Sequence, residues 1–168
     1  MLKRNIFAQE VAKDLKIKAY PIVFEDMKED ARLYFDKECV AISTAHQKSF
    51  NEVMKSILHE YRHVFQREYI KTHDDEIAKI WRREIEDIRN GRSNEYFTLL
   101  TELDALAYTK YYLQTYKNIP VSYDGELEAM VNIYLFDHFY EIEKNRKWGW
   151  IKTINKWLLI VFLIEKKR

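Results

Sequence analysis

At 168 residues, nearly half of them apolar and with only three Gly and two Pro, the chain is sized for one mostly helical domain with a sizeable core. Lys and Arg (28) balance Asp and Glu (27) to a formal net charge of +1. That removes the electrostatic case for nucleic acid or an anionic membrane as partner. The lone Cys39 excludes an internal disulfide and any zinc site built on several cysteines.

The N-terminus lacks an apolar run long enough for a signal peptide, so a cytoplasmic location is expected. Asn5 can cap a first helix running to about Lys16, with Ile6, Val11 and Leu15 inward. Residues Ala19 to Phe24 contain Pro21, which confines them to an edge strand or the start of one. Arg32 to Phe35 and Cys39 to Ser43 alternate apolar and polar residues around Asp36-Lys37-Glu38, as a hairpin does. Val40 and Ile42 then share one face, turned toward the helix that follows.

That helix carries His59-Glu60-Tyr61-Arg62-His63, an HExxH pentapeptide. Upstream, Ser49 and Glu52 form an S-x-x-E capping box. Phe50, Val53, Met54, Ile57, Leu58, Tyr61, Val64 and Phe65 recur at three- and four-residue steps, giving the helix one apolar face. Residues four apart differ by only ~40° around a helix, so His59 and His63 point the same way and suit a single zinc ion. Glu60, ~100° round from His59, can reach a water on that ion without binding the metal itself.

Further helices follow. One starts at Thr72 to Asp75, carries Ile77, Ile80, Trp81, Ile85 and Ile88, and ends at Asn90-Gly91. A second spans Ser93 to Lys117 and stops at Asn118-Ile119-Pro120; a third runs from Asp124 to about Lys144. Trp148-Gly149-Trp150 breaks the chain before a terminal helix containing the apolar run Trp157 to Ile164. That run is far short of the ~20 residues of a membrane span. It is expected to be a buried helix, with homo-oligomer contact and membrane-surface anchoring as the alternatives, and no stable membrane insertion is expected. The total is an α+β, mostly helical fold: a small N-terminal sheet of roughly three strands packed on the HExxH helix, then a helical C-terminal part, in one domain over 1–168.

A zinc site needs a third protein ligand, with the fourth position open if it is catalytic. Glu102 is the leading candidate, because it sits among Leu100, Leu103, Ala105, Leu106 and Ala107, where an acid is rarely buried without a partner. Asp104 competes from ~200° round the same helix; if it is not the ligand, it can orient a neighbouring side chain. His46, His73 and His138 are weaker ligand candidates. The metzincin extension is absent, since Gln66 and Tyr69 occupy its positions. For a donor to the oxyanion of a transition state, Tyr112 and His138 are the candidates.

A short strand pair, HEYRH on a helix and Glu102-Leu103-Asp104-Ala105 on a downstream one resemble the single-domain gluzincins. Within these the chain is similar to the phage- and mobile-element-associated metallopeptidases of the ImmA/IrrE type, over roughly Arg32 to Leu113. The resemblance implies a zincin-like fold and a zinc ion held by His59, His63 and Glu102. It also implies a zinc metalloendopeptidase in which Glu60 is general base toward the metal's water, with a protein or peptide as substrate. Such an extended peptide is expected to pair with an exposed strand, Val40 to Ser43. The chain departs from the group in having Arg62 where Gly often precedes the second histidine, in having Leu106 where larger gluzincins place an Asp, and in lacking a helix-turn-helix companion. A catalytically weak or inactive metal-bound interaction module is the alternative reading.

Overall fold

A computed structural model describes residues 2–46, 49–92 and 99–140. The first helix, α1 (Leu2–Leu15), buries Phe7, Ala8, Val11, Ala12 and Leu15. It begins before Asn5, which is therefore an interior residue and not the cap. Ile6 lies ~170° from the centre of that stripe and is left 47% exposed.

Three short strands follow: β1 (Ile22–Glu25), β2 (Ala31–Tyr34) and β3 (Cys39–Ser43), in the order β1-β3-β2. The hairpin forms as the alternation predicts, with Tyr34 opposite Cys39 and Ala31 opposite Ile42. Pro21 precedes β1, an edge strand that runs parallel to β3 from the pair Ile22–Val40. This parallel pairing makes β3 the central strand, buried along its whole length. The expectation that Val40 to Ser43 would accept a peptide is therefore corrected. Both its sides are already hydrogen-bonded, and among the described residues the free edge of the hairpin belongs to β2. Cys39 is buried as a free thiol in this strand.

Helix α2 (Phe50–Thr72) starts on a complete capping box: Ser49 Oγ accepts from the Glu52 amide at 3.2 Å, and Glu52 Oε2 accepts from the Ser49 amide at 2.7 Å. Its apolar face, with Val53, Ile57, Leu58 and Tyr61, packs with Val40 and Ile42 of the sheet and Val11 of α1 into one core. Helices α3 (Glu76–Arg89) and α4 (Leu100–Lys117) come next, then α5 (Gly125–Leu135), which passes into a π-helical turn, Phe136–Tyr140. Asn118 ends α4 in the left-handed region at φ 53°, a conformation that asparagine tolerates better than most residues. A second core joins Trp81 of α3, Leu103 and Ala107 of α4, and Val131 and Tyr134 of α5.

The molecule is thus α+β and mostly helical, with α2 and α4 at the junction of its two cores. Among the described residues no helix is long and apolar enough to cross a membrane. The predicted start at Ser93 of the helix that ends at Lys117, the predicted end near Lys144 of the next one, the Trp148-Gly149-Trp150 break and the apolar run 157–164 lie outside the described residues.

Candidate metal centre

Two helices meet at the site. His59 and His63, one turn apart on α2, bring their Nε2 atoms to 3.1 Å from each other. Glu102, in the first turn of α4, places one carboxylate oxygen 3.3 Å from His59 Nε2 and the other 3.3 Å from His63 Nε2. A tetrahedral ion with bonds of ~2.0–2.1 Å has ligand–ligand edges of ~3.3–3.4 Å; the two Nε2 atoms are close to one such edge apart, and each Glu102 oxygen lies about one edge from one histidine. The three side chains form a group able to hold a metal ion, and Glu102 is 2% exposed while the histidines are partly open to solvent.

Electrostatics bind the group together. Burial would raise the Glu102 carboxyl, but hydrogen bonds and charge from His59 and His63 win and hold it far below the ordinary carboxylate range. Burial likewise opposes a charged His63, yet its hydrogen bond to Glu102 and the charges of Glu102 and Glu60 raise it to about 9. In the metal-free protein a proton therefore sits where the chemistry of the donor set suits a cation.

Asp104 does not compete for that cation. It accepts from Arg62 Nε at 2.7 Å and Arg62 Nη2 at 2.9 Å, from Gln66 Nε2 at 2.8 Å and from the Tyr134 hydroxyl at 3.3 Å. Four donors fill the lone-pair sites of a carboxylate. Arg62, whose bulk beside the second histidine marked a departure from the gluzincin pattern, is turned away from the triad. Its guanidinium is paired with Asp104 and lies over the rings of Phe65, Tyr108 and Phe139.

Gln66 is the site residue that sequence reasoning passed over. Its Nε2 donates to Thr101 O and to Asp104 Oδ2, both at 2.8 Å, which fixes the amide's orientation because both partners accept only. Its Oε1 therefore accepts from His63 Nδ1, at 2.8 Å. That bond keeps a proton on Nδ1, so that Nε2, which faces Glu102, is the nitrogen whose lone pair is freed when the ring is neutral. The signal in the sequence was positional: Gln66 is three residues after His63 and shares its side of the helix.

The two proposed oxyanion donors are not brought to the triad. Tyr112 follows Glu102 by ten residues, ~15 Å along the helix. It packs edge-on against Phe7 of α1, with ring centroids 6.0 Å apart, and burial, with Asp14 and Glu10 nearby, pushes its phenol up to about 12. His138 stacks on Tyr134 behind Asp104, with centroids 4.2 Å apart, and burial lowers its pKa. His46 lies beside Asp30 and His73 stacks on Tyr69, both away from the metal centre.

Glu60, 9% exposed, lines a groove of about 420 Å³ together with His63 and Glu102. One wall of that groove is β2 with Leu33 and Phe35 at its end; the other is the end of α3 with Ile85 and Arg89. The chain matches no family model, no curated protein and no solved structure.

Proposed function

We propose that this chain is a zinc-dependent metallopeptidase that hydrolyses peptide bonds, acts in the cytoplasm, and is of the single-domain gluzincin kind related to the ImmA/IrrE metallopeptidases of phages and mobile elements. The observation that carries the reading is the convergence of two Nε2 atoms and one carboxylate at 3.1–3.3 Å, beside a groove that His63, Glu102 and Glu60 line. Two imidazoles and one carboxylate are a catalytic zinc set, with a fourth position left for water or substrate. A bound zinc ion supplies an acidified water, of pKa ~7, and a Lewis acid for the scissile carbonyl.

The chain's own residues do the rest. Gln66 keeps the Nε2 lone pair of His63 directed at the centre. Glu60 takes a proton from the attacking water as its oxygen bonds to the carbonyl carbon, and passes that proton to the amine nitrogen as the C–N bond breaks. The free edge of β2 borders the groove; it offers main-chain hydrogen bonds to an extended peptide lying across the metal centre.

The test joins metal analysis to turnover. Purified protein is expected to hold one zinc per chain, and Glu60→Gln is expected to keep the zinc and lose peptide hydrolysis by on the order of 10²–10⁴-fold. Equal hydrolysis by wild type and Glu60→Gln would overturn the mechanism. Stoichiometric zinc without hydrolysis by either would make the chain a metal-bound interaction module.

A further inference from the structure

The groove continues past the triad toward two arginines. Arg67 follows His63 by one turn on α2, and its guanidinium carbon lies 3.2 Å from the centre of the Phe35 ring at the end of β2. Arg89, in the last turn of α3, lines the same groove. Among the described residues neither has a carboxylate partner. Arg32, Arg62, Arg82 and Arg92 each pair with one, Arg32 with Glu29 in the groove itself.

Arg89 is exposed, but Arg67 is half-buried, and a half-buried cation with no counter-charge is uncommon, because desolvation disfavours it unless something pairs it. Arg67 shows that cost: burial lowers its pKa, and the like charge of Arg89 lowers it further. Two guanidiniums converging in a cleft with apolar walls focus a positive field and match a carboxylate with forked hydrogen bonds. The groove thus holds Glu60 and Glu102 of the candidate metal centre and, one helical turn beyond His63, a cation without a carboxylate partner among the described residues.

We infer that Arg67 and Arg89 form a carboxylate-binding subsite, and that the peptides this protein takes carry an anionic group about two residues from the bond that is cut. The inference rests on the metallopeptidase reading for what the groove holds. The spacing follows from geometry: His63 to Arg67 is ~6 Å of helix rise, and an extended peptide advances ~3.4 Å per residue. The carboxylate belongs either to an Asp or Glu side chain or to the C-terminus of a short peptide. Leu33, Phe35, Ile85 and Ile88 make the surroundings of that subsite apolar, which favours hydrophobic neighbours around the acidic group.

Binding can be read without turnover, so the test stands apart from the mechanism. Fluorescent peptides are titrated by anisotropy against zinc-loaded, full-length Glu60→Gln protein. Peptides differing only by Glu or Gln at one position are compared, each with a free or an amidated C-terminus. The acidic peptide is expected to bind at least about tenfold more tightly than its neutral counterpart, as a charge-assisted hydrogen bond implies. Loss of that advantage on Glu-to-Gln replacement in the peptide identifies a side-chain carboxylate, and loss on amidation identifies the chain end. The advantage is expected to vanish in Arg67→Gln/Arg89→Gln; if that double variant does not fold, Arg89→Gln alone, at an exposed position, is expected to cut it several-fold. Equal affinity for acidic and neutral peptides, a preference that survives the arginine substitutions, or binding of neither peptide would overturn the subsite. Failure of the peptidase reading is separate, shown by hydrolysis that does not depend on Glu60.

Discussion

Gln66 spends its amide nitrogen on joining α2 to α4, through Thr101 O and Asp104, and its amide oxygen on holding His63. Gln66→Leu keeps roughly the same bulk and removes the acceptor for His63 Nδ1, so the imidazole is free to turn. Loss of such a supporting bond lowers metal affinity by about 10–100-fold; competition with a chromophoric chelator would measure it, and unchanged affinity would refute the role. Arg62 acts on stability instead. Its guanidinium is the charge partner of a fully buried Asp104, and removing one member of such a pair leaves the other uncompensated, at a cost of about 3–5 kcal/mol. Arg62→Ala is therefore expected to lower the urea midpoint sharply, whereas a surface variant such as Lys79→Ala should scarcely move it.

At the scale of elements, the position of α4 decides whether Glu102 reaches the histidines, and α4 has no cap of its own. Leu99 precedes it and offers no side-chain acceptor. The cap comes from α3: Glu84 accepts from the Leu100 amide at 3.0 Å and the Thr101 amide at 2.9 Å, satisfying two orphan donors of the helix that carries Glu102. Glu84→Ala is expected to cost about 1–2 kcal/mol and to weaken zinc binding as well, since Glu102 lies one residue beyond Thr101; Glu84→Gln, which keeps one acceptor, should lie between. Helix α3 has its own pH-sensitive cap. Asp75 accepts from the Tyr69 hydroxyl and the Ala78 amide, and these bonds hold its carboxyl below the ordinary value of 3.8. A depressed carboxyl stabilises the fold above its unfolded pKa and stops doing so as pH falls through its folded pKa. The acid limb of stability, followed by circular dichroism below pH 4, should therefore be shallower in Asp75→Asn than in wild type. Much of this layout was legible in the sequence, because helix ends are written locally: the Ser49–Glu52 box, the Asn90-Gly91 stop and Asn118 all act where the pattern placed them. Crossings are not local. Nothing near Glu84 indicates that it caps a helix starting at Leu100, and nothing in Cys39–Ser43 indicates that β1 pairs on its other side. For the same reason Glu102 and Asp104 could not be separated until the helix crossing set the acceptors of one against Arg62 and Gln66.

For the whole molecule, the triad spans the two helices that separate its cores, so an ion there would act as a cross-link between halves that already pack without it. Each cluster has its own buried apolar residues, and the groups that position the triad are held by protein partners: Gln66 donates to Asp104, and Glu84 accepts from the Leu100 and Thr101 amides. This differs from a small zinc finger, where the ion supplies most of the folding free energy. Removing zinc with a chelator is therefore expected to leave the helical circular dichroism intact at 25 °C and to lower the melting temperature. A ligand at 100 to 1,000 times its dissociation constant stabilises the native state by about 2.7–4.1 kcal/mol, which for a chain of this size corresponds to a shift of roughly 5–15 °C. Because the shift depends on the linkage between α2 and α4, His59→Ala and Glu102→Ala should each abolish the zinc-dependent part, while Glu60→Gln should retain it. A chelator that unfolds the protein outright would contradict this account of the cores, and a zinc-dependent shift that persists in Glu102→Ala would contradict the cross-link.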